Sequence, residues 1–213
     1  QLKGAAHYHT TGNFIISDWL STLFSNFSMS SLIAIERSAW WVHIVGILAF
    51  LNYLPYSKHL HIMLAFPNAY YARLTSTGKM DNMKSIQNEV LYTMQPELAP
   101  TTEPALQKFG AKDVMDLSWK SLLDAYSCTE CGRCTDNCPA NHTGKLLSPR
   151  KIMMDTRDRI TEIAVNKRKG EEDTKALLSD YITAEDLWAC TSCNACTDAC
   201  PIELDPLSII LDM

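Results

Sequence analysis

Three regimes of hydrophobic patterning follow one another along the chain. Over residues 14–28, FIISDWLSTLFSNFS, the apolar residues Ile16, Trp19, Leu20, Leu23, Phe24 and Phe27 recur at spacings of three and four, with serines and Asp18 opposite. That period predicts an amphipathic helix. It suits a membrane surface or the core of a soluble domain equally, because the basic face typical of surface-bound helices is missing. Residues 34–54, AIERSAWWVHIVGILAFLNYL, lose the period: from Ala39 onward every face is apolar, interrupted only by His43, Gly46 and Asn52. At a rise of about 1.5 Å per residue this stretch spans about 30 Å, the thickness of a hydrocarbon core. Trp40 and Trp41 near one end and Tyr53 and Tyr56 near the other form an aromatic belt, and Glu36 and Arg37 fall at the interface. A transmembrane helix is therefore expected rather than a buried helix of a soluble protein. It begins too deep in the chain, and without a following small-residue cleavage site, to be a signal peptide. The helical pattern runs on past Pro55, which kinks it, to Phe66, so the membrane helix covers about 34–66 within a membrane-associated segment 1–74.

The second regime, residues 75–111, has turn residues, Pro96, Pro100 and Pro104, and one short helix near 82–94; it reads as a linker. The third, 112–213, is helical and polar-faced, with no alternating strand pattern. Asp113–Tyr126 predicts a helix, Ser148–Pro149 an N-cap with proline at the first helical position, and Thr183 with Asp186 a capping box. Leu204, Leu207, Ile209, Ile210 and Leu211 predict a final packed helix, and Trp119 and Trp188 are expected in packing roles. The fold class is mainly α: the C-terminal part of a membrane helical segment followed by an α-helical domain.

Composition changes the picture only at the margins. With 46% hydrophobic and 20% charged residues the chain is neither disordered nor a multi-span protein as it stands, and a net charge of −5 argues against nucleic acid as a partner. Lys58, Arg73, Lys79 and Lys84 follow the apolar stretch, against Arg37 and Lys3 before it. The positive-inside rule then puts residue 58 onward in the cytoplasm, on the inner side of the cell membrane. The chain opens on Gln1 rather than Met, as a processed or partial chain would.

All eight cysteines lie in the third regime. Cys128, Cys131, Cys134 and Cys138 precede Pro139, and Cys190, Cys193, Cys196 and Cys200 precede Pro201, so the run C-x2-C-x2-C-x3-C-P occurs twice at an offset of 62 residues. This is the run of bacterial two-cluster ferredoxins, in which the fourth cysteine ligates the other cluster. By that rule Cys128, Cys131, Cys134 and Cys200 hold one [4Fe–4S] cluster, and Cys190, Cys193, Cys196 and Cys138 the other. Disulfides fit poorly, since cysteines this close rarely pair, and structural zinc favours two separated pairs. The domain resembles the helical two-cluster ferredoxins in the iron–sulfur subunits of succinate dehydrogenase, anaerobic glycerol-3-phosphate dehydrogenase and heterodisulfide reductase. Arg133, Lys145 and Arg150 near the first block are either solvated or placed to meet an acidic partner or to tune a cluster.

A histidine inside a membrane span is a functional candidate by default. On one continuous helix His43 and His61, eighteen residues apart, lie on one face, whereas His59 does not. The stretch WWVHIVGILAFLNYLPYSKHLHIMLAFPN is similar to a late helix of the dihaem b membrane subunit of respiratory nitrate reductase, in which two histidines ligate haem, the second after a proline, a small hydroxyl residue and a basic residue. Pro55, Ser57, Lys58 and His61 keep that order, with His43 at the earlier position. The resemblance implies one or two haems b with His43 and His61 as axial ligands, the remaining ligands lying outside this segment; His7 and His9 are poor substitutes. The plainer alternatives are a polar helix–helix contact for His43 and an interfacial position for His61.

No acid/base pair, nucleophile constellation, dinucleotide fingerprint or Cys-Cys pair is present, so substrate chemistry is not visible and whether the chain is itself an enzyme stays open. The expected function is a membrane-bound electron-transfer subunit linking a quinone and haem b region to other redox subunits through two [4Fe–4S] clusters. The alternatives are an anchored iron–sulfur subunit without haem, and a fragment of a catalytic disulfide reductase.

Overall fold

A computed structural model describes residues 15–21, 23, 24, 26–76, 79, 80, 82–99 and 109–213. Lys3, His7, His9, Phe14, Pro100 and Pro104 lie outside them. The chain divides into two units, residues 1–57 and 58–213.

In the first unit, helix α1 spans Ile15–Ser21, with Ile15, Ile16, Trp19 and Leu20 exposed. It is shorter than the amphipathic helix expected over 14–28; Leu23 and Phe24 are in a turn. Helix α2, Met29–Tyr53, starts earlier than expected because Ser28 caps it, its Oγ accepting from the Ser31 N–H at 3.3 Å. Its side chains are exposed nearly all round, and Trp40 and Trp41 meet edge to face at 5.0 Å. Among the described residues Met29–Tyr56 is the one stretch long and apolar enough to cross a membrane, by length and composition.

The helix expected to run unbroken from about 34 to 66 is two helices. Leu54–Tyr56 is a single 3-10 turn, and Ser57 closes it with both its N–H (3.1 Å) and its Oγ–H (3.0 Å) on the Leu54 carbonyl. Pro55 supplies no N–H and Ser57 occupies a carbonyl the helix would have used, so the helix stops rather than kinks. Helix α3 then runs Leu60–Tyr70, past Pro67 rather than ending at it, and belongs to the second unit.

The second unit is helical, with an isolated bridge between Leu178 and Ile182 and no strand among the described residues. After α3 come α4 (Lys84–Met94), α5 (Trp119–Ser127), the short α6 (Arg133–Asp136) and α7 (Pro139–His142), and the long α8 (Pro149–Lys169). Then follow α9 (Leu177–Asp180, one distorted turn), α10 (Ala184–Trp188), α11 (Ala195–Asp198) and α12 (Pro206–Asp212). The expected caps are present: Ser148 accepts from the Lys151 N–H, and Thr183 with Asp186 forms a reciprocal capping box. A 3-10 turn at Val114–Asp116 breaks the helix expected over 113–126.

The core gathers Val114, Ala125, Leu147, Ile152, Met153, Leu177, Ile182, Ile209 and Ile210 around α8. At its edge Arg159, 1% exposed, grips Asp113 with two hydrogen bonds (3.0 and 2.9 Å) and Asp173 with another (2.9 Å). Trp119 and Trp188 do not pack as expected. Trp188 is 87% exposed, and Trp119, 61% exposed, meets Tyr71 edge to face at 5.2 Å.

Candidate metal centre

The sequence repeat is also a conformational repeat. Glu130 and Ser192, each two residues after the first cysteine of its block, have φ of 57° and 53°; Gly132 and Asn194, two further on, have 88° and 62°. These left-handed residues curl each loop so that the N–H two residues on turns back to the first sulfur: Glu130 N–H donates to Cys128 Sγ and Ser192 N–H to Cys190 Sγ, each at 3.4 Å. Gly132 and Asn194 then cap α6 and α11, which carry the third cysteines, Cys134 and Cys196. Glycine meets the left-handed requirement without cost and asparagine at little, which explains both residue types at this point of the repeat.

The fourth cysteines cross over. Cys200 lines a cavity with Cys128, Cys131 and Cys134, closed by Met153, Ile202, Leu204 and Pro206. In the other block, Cys138 is close enough to Cys190 to act on its ionisation. Leu204 N–H donates to Cys200 Sγ at 3.4 Å, a third N–H···S contact. Arg133 and Arg150 also border the first cavity, with Arg150 held by its own N–H on Thr135 Oγ1 (3.1 Å). Lys145 borders a separate cleft with Glu185 and Trp188.

Burial pushes the Cys128 thiol up, with neighbouring Cys200 and Cys131 adding to the rise and the Glu130 N–H opposing it. Burial likewise takes Cys134 to about 11 and Cys196 to about 12. Such thiols stay protonated at neutral pH unless a cationic centre stabilises their thiolates, so neither Cys134 nor Cys196 is an activated nucleophile. Among the described residues no three His, Cys, Asp or Glu side chains converge on a single-ion site. Four soft sulfur donors instead rim one space, which fits an iron–sulfur cluster better than mononuclear zinc.

The two histidines lie on separate helices. His43 is exposed on α2, and His61 is half-buried in the first turn of α3. His61 Nδ1 is 2.6 Å from the Lys58 carbonyl. A carbonyl only accepts, so Nδ1 carries the hydrogen and the Nε2 lone pair is left for another partner. With the helix broken between them, the whole-turn spacing no longer fixes a shared face.

Sequence reasoning missed the polar residues that brace the first cavity. Arg157 Nη2 lies 2.7 Å from Glu130 Oε1, bracing the first loop, and buried Lys120 joins Asp124 (2.5 Å) to Asn68 (3.0 Å). Asn68 carries no local signal, because its partners Lys120 and Ile202 lie 52 and 134 residues away.

Taken together, a repeated cysteine loop, with the fourth cysteine of each block beside the other block, has the layout of a helical two-centre iron–sulfur domain. Comparison with known proteins agrees: residues 127–204 match the family described as the 4Fe-4S dicluster domain. Over 93% of its length the chain is 30% identical to the "Probable iron-sulfur-binding oxidoreductase FadF" of Bacillus subtilis, covering 30% of that protein. It is 27% identical over 92% of its length to the "EtfAB:quinone oxidoreductase" of Syntrophomonas wolfei, covering 28% of it. A "Probable membrane-anchored ferredoxin" of Chromohalobacter salexigens is 29% identical over 49% of the chain and 18% of its own length. The chain thus spans under a third of each of these relatives, and no solved structure matches it. Residues 127–204, which hold all eight cysteines, are the part of the chain that matches the 4Fe-4S dicluster domain.

Proposed function

We propose that this chain is the membrane-attached relay of an oxidoreductase complex, passing electrons between a quinone and haem b region and a cytoplasmic redox partner. The observation that carries this reading is the sulfur-lined cavity closed by crossed cysteines, on a chain that also holds an apolar stretch of membrane-spanning length, Met29–Tyr56. Cys128, Cys131, Cys134 and Cys200 hold one [4Fe–4S] cluster; Cys190, Cys193, Cys196 and Cys138 hold the other. A bound cluster takes up and releases one electron at a time. The protein's own part is to supply the thiolates, to aim the Glu130, Ser192 and Leu204 N–H groups at sulfur, and to exclude water with Met153, Ile202, Leu204 and Pro206.

His61, its tautomer set by the Lys58 carbonyl, fits an axial ligand, and His43 is the second candidate; both need partner ligands from outside this chain segment. The lysines and arginines after residue 57 favour a cytoplasmic iron–sulfur domain. The relatives named as a quinone oxidoreductase and as a membrane-anchored ferredoxin support the membrane side of the relay. The share of the FadF relative that the chain covers also favours a second reading, in which the relay is one part of a longer catalytic oxidoreductase.

The test is a dithionite-reduced-minus-oxidised spectrum of the complex from native membranes, with iron and acid-labile sulfide assayed on the same sample. A sharp b-type α band with about eight non-haem irons per chain supports the full relay. The same iron without the band leaves an anchored ferredoxin, and little iron or sulfide in an anaerobic preparation overturns the reading.

A further inference from the structure

The charges beside the first cysteine block are not balanced. Glu130, the carboxylate of the first loop, is matched by Arg157 (2.7 Å) and Lys58 (3.5 Å). The cavity rimmed by Cys128, Cys131, Cys134 and Cys200 has two further cations on its wall, Arg133 and Arg150, and no carboxylate. Among the described residues neither of these guanidinium groups is in an ion pair. Arg150 is fixed at its root: its N–H donates to Thr135 Oγ1 (3.1 Å), which shares a hydrogen bond with the Oγ of Ser148 (2.9 Å), the cap of α8. Its Nη1 lies 3.7 Å from where a Cβ on Gly132 would stand, between Cys131 and Cys134. Asp136 Oδ2 is 3.9 Å from the same point, but Asp136 is exposed and stands outside the cavity wall. Arg150 and Met153 also bring the first turn of α8 to the cavity, and with it the positive end of a 21-residue helix.

Cations reach the second block as well, but in the company of carboxylates. Arg73 and Lys79 border Asn194 and Thr197 in a cleft that also holds Asp198, Glu203 and Asp205, and Arg73 Nη1 is 3.3 Å from Asp205 Oδ2. Cys200 lines that cleft too, so its opposed charges act on both sites. Lys145 shares its cleft with Glu185. A thiolate-held cluster gains a negative charge when it takes up an electron. An unbalanced cation beside it therefore favours the reduced form and raises its reduction potential.

We propose that Arg150, with Arg133, sets the reduction potential of the Cys128/Cys131/Cys134/Cys200 centre, holding it above the value the same cysteines give with neutral neighbours. This rests on the cluster assignment above. The step is one electron passing from a donor onto the cluster; no bond forms or breaks, and the arginine keeps its proton throughout. Arg150 acts by charge and is not a ligand.

A dithionite titration of the intact complex with redox mediators, followed by EPR, reads the midpoint potentials of both centres, and Cys193→Ala and Cys131→Ala assign the signals. In Arg150→Gln the one-electron reduction constant of the first centre falls about three- to tenfold, a drop of about 30–60 mV, and the second centre stays where it was. Arg150→Lys keeps the charge and recovers most of the drop. If Arg150→Gln loses its iron, Arg133→Gln decides, because it lowers the same centre and leaves α8 untouched. No drop in the deciding variant, an equal drop at both centres, or a lysine variant as low as the glutamine one overturns the proposal while the clusters remain. A wild-type complex with neither EPR signal overturns the cluster assignment instead.

Discussion

Replacing Arg159 with methionine isolates the polar hub that closes the iron–sulfur domain. Arg159 is 1% exposed, and its guanidinium bonds Asp113, Asp173, Glu162 (3.2 Å) and the Lys175 carbonyl. Asp113 in turn accepts the Val114 and Leu177 N–H groups (2.9 and 3.1 Å), so one side chain ties α8 to the entry turn and to the loop before α9. Methionine fills most of the volume but leaves the carboxylates facing one another. Removing one partner of a buried pair costs about 3–5 kcal/mol. The Asp113 and Asp173 side chains are each 21% exposed, so water relieves part of that, and the lower end, about 3 kcal/mol, is the better figure. At about 2–4 °C per kcal/mol for a domain of this size, the melting temperature falls by about 6–12 °C.

The pH dependence carries the sign. Burial works to raise Asp113, but its hydrogen bonds to Arg159, Val114 and Leu177 and the Arg159 charge outweigh it and hold the carboxyl below the ordinary range. A carboxyl depressed on folding stabilises above its unfolded pKa of about 3.9, and that contribution is lost as pH falls through the folded value. The gap between wild type and Arg159→Met is therefore full at pH 7 and narrows below about pH 4. Anaerobic melting of the cluster-loaded chain, followed by circular dichroism across that range, checks both points. A variant within 2 °C of wild type at pH 7, or a gap that widens in acid, refutes the reasoning about the hub.

Cys200→Ala and Cys138→Ala separate crossed from uncrossed ligation: each removes the EPR signal of the site whose first three cysteines lie in the other block, and loss of the signal from its own block refutes crossing. Gly132→Ala meets only the side-chain ends Arg150 Nη1 (3.7 Å) and Asp136 Oδ2 (3.9 Å) at ordinary contact distance, so its cost is the left-handed backbone at φ 88°, about 1 kcal/mol, read as a lower melting temperature with the iron content kept. Thr183→Ala removes the capping box that opens α10 and costs about 1 kcal/mol by the same assay.

What was legible in the sequence was local. The two cysteine runs, the Ser148 and Thr183 caps and the apolar stretch before Pro55 each depend on residues within one turn or loop of each other; the structure has the caps where the spacing put them, whereas the long apolar helix runs Met29–Tyr53 instead of on to Phe66. The close approach of Cys200 to the first block followed from the two-cluster rule rather than from spacing, since the partners are 72 residues apart in the chain. Arg159 gave no sign of its hub because it sits in a run of mixed charges, RDRITE, that reads as a solvated face until Asp113 and Asp173 arrive from elsewhere. Trp188 looked like packing by composition alone, and exposure corrected it.

Helix α3 shows most plainly where periodicity runs out. Its sequence, LHIMLAFPNAY, continues the apolar character of α2, and hydropathy alone joins the two. What separates them is carbonyl accounting: Pro55 cannot donate, and Ser57 takes the Leu54 carbonyl twice. Once broken there, the chain meets different demands on the two sides. Met29–Tyr56 leaves its apolar surface exposed, as a lipid-facing span would, whereas α3 buries Asn68 against Lys120 and Ile202 while Phe66 stays 75% exposed. A segment buried through an amide and a lysine is specified by partners 52 and 134 residues away, and no window of the sequence contains both. The residues that resembled a haem-ligating helix therefore also form the brace of an iron–sulfur loop, with His61 at its first turn and Asn68 at its last. Helix α3 thus carries His61 at its first turn and, through Asn68 at its last, holds the Ile202 carbonyl two residues past Cys200, a pairing that its apolar character alone does not announce.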